Sequence, residues 1–210
     1  MFTAVLSSDA QDALALLGKS GLVSKAYLAG GSALALYFGH RYSVDFDFFS
    51  PHLFKPEQLA RALAQEGKFE TDLLKDASLI GEFQGIKFSY LHYPYPLVAA
   101  PMEFLGVPIA HVNDIAAMKL AAVMSRGIKR DFVDVYVLTR QGLSLEQMLN
   151  FYDQKYALLE KNLFGIIKSL NYFDDAENTE MPRMIAPISW AEVKRFFSAE
   201  SIRLAKKYLA

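Results

Sequence analysis

Two aspartates one residue apart lie inside an apolar stretch of this sequence. Asp45 and Asp47 belong to the run SVDFDFF, in which Phe46 and Phe48 hold the alternate positions. Side chains of a β-strand alternate between its two faces, so we expect Asp45, Asp47 and Phe49 on one face and Val44, Phe46 and Phe48 in the core. Carboxylates about 6–7 Å apart repel each other unless one is protonated or a cation lies between them. Because hard divalent cations take oxygen ligands, the pattern predicts a Mg²⁺ or Mn²⁺ site.

A glycine pair precedes the aspartates. The segment AYLAGGSALALYFG is typical of a buried strand at 26–29, then Gly30, Gly31 and Ser32, then a short helix ending at Gly39. A helix N-terminus offers free backbone N–H groups and a positive dipole end, and glycine lets a phosphate approach the backbone. The Ser32 hydroxyl adds a possible donor. Together with the aspartates, this turn predicts a site for a nucleoside triphosphate and its metal.

Each half of this pattern also has a simpler interpretation. A Gly-Gly pair after a strand is more often only a turn, and an isolated D-x-D pair is more often a solvated edge or a cap. The order of strand, Gly-Gly-Ser, helix and D-x-D strand is what favours one shared ligand. Arg41, between the two halves, could contact phosphate or face water.

The composition is that of an ordered globular protein. The 210 residues are 52% hydrophobic, and 22 basic and 23 acidic side chains leave a net charge of −1. This balance argues against a disordered chain and against a generally basic nucleic-acid-binding surface. Cysteine is absent, which excludes disulfides and thiol nucleophiles. The chain shows no secretory signal and no uncharged apolar run near the ~20 residues of a membrane-spanning helix, so we expect a cytoplasmic protein without membrane contact.

The apolar periodicity indicates a mixed first half and a helical second half. Near Val112 the pattern changes, which predicts an α/β core with a mixed sheet at 1–112 and a helical region packed on it at 113–210. A tight turn is expected at Gly85. The expected strands lie at 26–29, at 44–49 and in the runs FETDLL, SLIGEF and IKFSYLHY, with one or two edge strands within 93–112. The expected helices lie at 8–18, 32–39, 56–65, 113–125, 130–140, 144–156, 158–170 and 190–209.

Three charged residues of the helical half are further candidates. Lys119 lies among alanine, methionine and leucine residues, an apolar setting for an ammonium group. It could reach a phosphate as a point charge, or extend to the surface along an apolar face. Asp131 and Asp134 fall on one side of a helix, where helix capping and local salt bridges are the simpler interpretation.

Two segments resemble a known family. GGSALALYFGHRYSVDFDFF and DIAAMKLAAVMSRGIKRDFVDVYVL are similar to the motifs of the AbiEii/AbiGii toxin-like nucleotidyltransferases, a group of the polymerase-β-like nucleotidyltransferase superfamily. The resemblance covers residues 26 to about 140 in the right order. It implies an α+β fold with a nucleotidyltransferase-like mixed sheet, flanking helices and a C-terminal helical region.

The resemblance also implies functional roles. Gly31 and Ser32 would hold a triphosphate, and Asp45 and Asp47 would hold the catalytic metal. The helix lysine and the later aspartate of the group correspond to two residues of the helical half, Lys119 and Asp131. The implied activity is metal-dependent transfer of a nucleotidyl group from an NTP to a hydroxyl of tRNA or protein, by a toxin that pairs with an antitoxin.

One expected carboxylate is missing. Members of the superfamily usually carry a third acid on a later strand, but the corresponding run IKFSYLHY has Ser89 or Tyr90 at that place. Asp131, Asp134 or Glu103 could substitute. Without a substitute, the alternatives are a catalytically weak or inactive nucleotide-binding module that holds a partner protein, or a protein that keeps only the fold.

Overall fold

The computed structural model describes residues 1–159 and 162–209. The chain divides into two compact units, Met1–Val112 and Asn113–Ala210. Within the described residues, the first unit carries a seven-stranded sheet and three α-helices, and helices predominate in the second. This arrangement confirms the expected α+β class.

The sheet of the first unit is mixed. Its strand order is β3-β4-β5-β2-β1-β7-β6, with β2 parallel to β5, β1 parallel to β7, and the other neighbours antiparallel. The D-x-D strand β2 is therefore close to the middle of the sheet. The strands are β1 (Tyr27–Ala29), β2 (Phe46–Ser50), β3 (Phe69–Lys75), β4 (Ser78–Phe83), β5 (Ile86–His92), β6 (Met102–Phe104) and β7 (Val107–Ile109).

Tight turns connect the antiparallel neighbours. Gln84 and Gly85 both have positive φ, 53° and 75°, between β4 and β5. Two positive φ values are what a two-residue hairpin turn with the right-handed twist of a sheet requires. Asp76-Ala77 and Leu105-Gly106 repeat the same conformation in the other two hairpins. The expected meander and its turn at Gly85 are confirmed.

The outermost strand β3 is irregular. Its pairing with β4 shifts register between Thr71 and Leu73, which leaves Asp72 in a bulge. The side chains from Glu70 to Lys75 are all exposed.

Three helices belong to the first unit: α1 (Ser8–Ser20), α2 (Gly30–Phe38) and α3 (Pro56–Glu66). The Ser7 side chain caps α1 by accepting a hydrogen bond from the Ala10 N–H at 3.2 Å. Proline opens α3, where its missing N–H costs nothing. One sheet face belongs to the core, since Phe46, Phe48 and Phe88 are almost completely buried there.

The helices of the second unit begin at the boundary between the units. They are α4 (Val112–Ser125), α5 (Lys129–Arg140), α6 (Leu145–Lys155), α7 (Leu163–Ser169), α8 (Asp174–Glu177) and α9 (Trp190–Tyr208). The helix expected at 158–170 is shorter than predicted: Asn162 caps α7 by accepting from the Gly165 N–H, and residues 157–159 form a turn and a bend. Residues 160–161 of that expected helix lie outside the described part. None of the described helices is long and apolar enough to cross a lipid bilayer.

An aromatic cluster joins α5 to α9. The ring of Phe132 lies 5.3 Å from those of Phe173 and Phe197 and 5.8 Å from that of Trp190, with tilted or edge-to-face geometry. Such ring pairs are favourable. Since Phe132 and Phe197 are fully buried, each contributes about 1.5–3 kcal/mol by removal of its apolar surface from water.

Candidate active site

The two aspartates lie at the start of the central strand β2. Asp45 directly precedes β2 and Asp47 is its second residue, and both are partly exposed. The intervening Phe46 and the following Phe48 are fully buried. The predicted alternation is therefore present within β2, where Phe46 and Phe48 are buried and Asp47 lies on the other side. The strand begins two residues later than expected, and Val44, expected in the core, is 54% exposed.

The pairing of β1 with β2 brings the glycine turn next to Asp47. Ala29, the last residue of β1, is the register partner of Asp47. The next residue, Gly30, has φ +70°, and a Cβ built on it would lie 2.8 Å from Asp47 Oδ2. A side chain at this position would meet both backbone strain and the carboxylate. The carboxylate of Asp47 thus lies at the N-terminus of α2.

Helix α2 begins two residues earlier than predicted. Its first residue is Gly30 rather than Ser32, and its N-cap residue Ala29 makes no side-chain capping hydrogen bond. The N–H groups of the first turn, which includes Gly31, have no acceptor within the helix. Such groups and the helix dipole favour an anion, so this turn can accept a phosphate.

Ser32 connects α2 to the segment that carries Asp45. Its fully buried hydroxyl donates a hydrogen bond to the backbone carbonyl of Asp45 and lies 2.9 Å from Ser43 Oγ. The hydroxyl hydrogen is thus used within the protein. The backbone N–H of Ser32, rather than its hydroxyl, is the group that this arrangement leaves for a phosphate.

Arg41 lies against the glycine turn instead of facing water. Its side chain is buried, and Nη1 donates to the Tyr42 carbonyl at 3.2 Å. A Cβ built on Gly31 would come within 2.0 Å of Arg41 Nη2. The absence of a side chain at Gly31 therefore leaves room for the guanidinium, which places a cation where a phosphate is expected.

Ser89 occupies the position at which the third acid was expected. It is the register partner of Asp47 on β5, and its Oγ donates to Asp47 Oδ1 at 2.8 Å. Tyr90 lies on the opposite face, buried against Phe48. Glu103 is exposed on β6, at the sheet edge and three strands from β2, so it does not replace the acid.

The donor set at β2 suits a hard divalent cation. Asp45 and Asp47 offer carboxylate oxygens, and Mg²⁺ commonly binds one or two carboxylates together with substrate phosphates and water. Among the described residues, no group of three or more His, Cys, Asp or Glu side chains is placed to hold a metal ion. The two carboxylates fit a divalent cation whose other ligands would be water and the phosphates of a nucleotide.

The charged residues of the helical half form a buried network. Lys119 Nζ lies 3.0 Å from Asp131 Oδ1 and 2.6 Å from Asp134 Oδ2, and its side chain is 5% exposed. Arg126 binds Asp131 with two bonds of 2.8 and 3.0 Å. Burial by itself raises the pKa of Asp131, but the Lys119 ammonium and the Arg126 guanidinium outweigh it and hold that pKa below its ordinary value. Lys119 is thus a paired, buried cation and not a lysine extended to the surface.

A second buried ion pair was not anticipated from the sequence. Lys155 Nζ at the end of α6 lies 2.8 Å from Asp114 Oδ1 in the first turn of α4, and both side chains are completely buried. Burial lowers the pKa of Lys155, and the Asp114 carboxylate opposes that shift. The partners are 41 positions apart, and neither local sequence predicts the other.

The candidate residues thus fall into two clusters. The first unit brings together Gly30, Gly31, Ser32, Arg41, Asp45 and Asp47, and the second unit brings together Lys119 and Asp131.

Solved structures show the same fold. JHP933 from Helicobacter pylori superposes with a TM-score of 0.59 over 96% of this chain and 94% of that chain, at 16% identity. The nucleotidyltransferase toxin MenT4 from Mycobacterium tuberculosis H37Rv gives a TM-score of 0.52 over 95% of this chain and 89% of that chain, at 14% identity.

Sequence comparison identifies the family of the chain in addition to its fold. An uncharacterized protein of Aquifex aeolicus (strain VF5) is 36% identical over 209 residues, which cover 97% of this chain and 98% of that protein. The family model described as "Nucleotidyl transferase AbiEii toxin, Type IV TA system" matches residues 12–92 and 91–204. Because these matches span both the D-x-D segment and the helical half, the chain belongs to the AbiEii nucleotidyltransferase toxin family.

Proposed function

We propose that this nucleotidyltransferase moves a nucleotidyl group from an NTP to a hydroxyl of a tRNA or a protein. In this proposal it requires Mg²⁺ or Mn²⁺ and acts as a toxin that an antitoxin protein restrains. The observation that carries the proposal is the position of Asp47, whose carboxylate lies beside Gly30 at the uncapped N-terminus of α2. One ligand can therefore meet carboxylates and backbone amides together.

The residues of the site have different roles in nucleotidyl transfer. The acceptor oxygen forms a bond to the α-phosphorus, the α–β anhydride bond breaks, pyrophosphate leaves, and the hydroxyl proton passes to solvent or to a carboxylate of the site. The amides of Gly30, Gly31 and Ser32 and the Arg41 guanidinium bind the phosphates. Asp45 and Asp47 would hold the cation, which when bound would neutralise phosphate charge and make the acceptor hydroxyl more acidic.

Lys119 and Asp131 are proposed to act in the same reaction as a linked pair. Their support is the match of the family model to this segment and the contact of Lys119 Nζ with Asp131 Oδ1. Since removal of one partner from a buried ion pair also destabilises the fold, the activity of any variant here must be compared with its unfolding free energy.

A transfer assay tests the proposal. Purified protein is incubated with each α-labelled NTP, with Mg²⁺ or Mn²⁺, and with total tRNA or cell extract. We expect label transfer to fall by at least about a hundredfold in Asp45→Asn and Asp47→Asn, because each removes a charged oxygen ligand from the site. Asp72→Asn changes an exposed aspartate of the β3 bulge and should leave transfer unchanged. Equal transfer in all three variants would contradict the assignment.

A second function is favoured by one feature of the site. Ser89 stands where a third carboxylate would provide a base or a further metal ligand. The alternative is therefore a nucleotide-binding module without turnover, whose partner is a protein. Metal-dependent NTP binding that Asp47→Asn abolishes, with no transfer to any acceptor, would favour this module.

A further inference from the structure

The two oxygens of the Asp47 carboxylate have different surroundings. Oδ1 accepts a hydrogen bond from Ser89 Oγ at 2.8 Å, across the parallel pairing of β2 with β5. Oδ2 is the atom that a Cβ on Gly30 would meet at 2.8 Å, so it points towards the N-terminus of α2. The carboxylate therefore has one oxygen held by the sheet and one directed towards the glycine turn.

A hydrogen bond of this kind fixes the orientation of a ligand. A carboxylate on a strand rotates about its last torsion angle, and that torsion has a broad energy profile. The Ser89 hydroxyl removes this freedom by occupying Oδ1, and both residues belong to neighbouring strands near the middle of the sheet. Hydrogen bonds to metal-binding carboxylates orient the ligand and raise metal affinity.

We propose that Ser89 is a positioning residue for Asp47 and that the site takes a single divalent cation through Asp47 Oδ2 and Asp45. This inference rests on the proposed metal-dependent function. A hydroxyl donor at the register position beside Asp47 orients one ligand, whereas a carboxylate there would bind a second cation. In the part of the chain that is described, no further acid completes a set of three at this place.

Manganese titration without nucleotide provides a test that is independent of activity. The number of bound Mn²⁺ ions and their affinity are measured by calorimetry and by the loss of the free-ion electron paramagnetic resonance signal. For the wild-type chain we expect one ion. Ser89→Ala should weaken its affinity by about ten- to a hundredfold, as for other hydrogen-bond partners of metal ligands. Ser89→Thr keeps the hydroxyl and suits a strand, so it should restore the affinity.

Ser89→Asp tests the same position in the opposite direction. The added carboxylate lies beside Asp47, so it should bind Mn²⁺ more tightly, take up to two ions, and show a larger rise in melting temperature on addition of Mn²⁺ than wild type. Ser198→Ala is the matched control, because the Ser198 hydroxyl donates a hydrogen bond to the Asn171 amide oxygen and not to a carboxylate. Thermal unfolding of each variant without metal identifies any loss of fold.

The outcomes separate this inference from the proposed function. Two ions bound to wild type, or an unchanged affinity in Ser89→Ala, would overturn the role of Ser89 even if transfer depends on Asp45 and Asp47. Failure of Ser89→Thr to restore affinity in a folded variant would also overturn it. If wild type and Asp47→Asn bind Mn²⁺ equally and neither transfers label, the proposed function fails as well.

Discussion

Gly30 and Gly85 have nearly the same φ angle and different surroundings. Their φ angles are +70° and +75°, but a Cβ on Gly30 would meet the Asp47 carboxylate, and nothing lies within 4 Å of a Cβ on Gly85. A comparison of the two positions therefore separates backbone strain from the requirement of the site.

We expect Gly85→Ala to lose about 1–2 kcal/mol of unfolding free energy, because alanine is strained at positive φ. Gly30→Ala should lose at least as much, because its Cβ also meets the Asp47 carboxylate. Only Gly30→Ala also displaces Asp47, so only this variant should lower Mn²⁺ affinity and label transfer, by about tenfold or more. Urea unfolding, Mn²⁺ titration and the transfer assay measure the three quantities. Equal transfer by the two variants would show that Gly30 serves only the turn.

For single residues, the sequence predicted the types and spacing of the site residues better than their contacts. Alternation was enough to place Phe46 and Phe48 in the core and Asp47 on the opposite face, since that property is local to a strand, but it failed for Val44, which precedes β2 and is exposed. The choice between Ser89 and Tyr90 required the register of β2 with β5, which depends on the whole sheet. The use of the Ser32 hydroxyl by the Asp45 carbonyl was also beyond the sequence, because it joins residues from two elements.

Between elements, the strongest contrast is that of buried and exposed ion pairs. The Lys155–Asp114 pair joins the end of α6 to the start of α4 and is completely buried. The Lys68–Glu70 pair is also short, at 2.6 Å, but both side chains are mostly exposed. Water screens the exposed pair, whereas a buried charge that loses its partner is left uncompensated.

We expect Lys155→Met to reduce the free energy of unfolding by about 3–5 kcal/mol, because it leaves the Asp114 carboxylate buried without its cation. The double variant Asp114→Leu/Lys155→Met should recover much of this loss, since apolar side chains often replace a buried ion pair without cost. Lys68→Met is the exposed control and should unfold at the wild-type urea concentration. A double variant that is less stable than Lys155→Met would contradict this account.

In the helical half, the ion pairs were harder to predict than the helices. The helices α4 and α5 follow from apolar periodicity and from Asp114 and Asp131 in their first turns. The environment of Lys119 was correctly recognised as apolar, but its two carboxylate partners depend on how α4 and α5 pack. Periodicity states which side of a helix is buried and not which residue of another helix it meets.

For the molecule as a whole, carboxylates with lowered pKa values set the response to acid. The Arg203 guanidinium of α9 binds Glu146 of α6 with two bonds of 2.5 and 2.9 Å and lowers the pKa of Glu146 from its ordinary 4.5 to about 2. The pKa of Asp131 is also lowered. In the unfolded chain both carboxyl groups return to their ordinary pKa values. At pH values between the lowered and the ordinary pKa, the unfolded chain therefore binds more protons than the folded chain.

We therefore expect the free energy of unfolding to decrease as the pH is lowered from about 4.5 to about 2. In Glu146→Gln this decrease should be smaller, by less than about 1 kcal/mol because the pair is partly exposed. Glu66→Gln, at the exposed end of α3, should follow the wild-type curve. The measurement is urea unfolding across this pH range, and a Glu146→Gln curve as steep as wild type would contradict the role of the pair.

The bulge in β3 has a consequence for encounters between molecules. An outermost strand with unpaired N–H and C=O groups is a template on which another chain can add a strand. In β3, the extra residue Asp72 bends this ladder, and the flanking Glu70 and Lys75 add charge to the open edge. The exposed Leu73 and Leu74 thus lie on an edge that resists aggregation by strand addition.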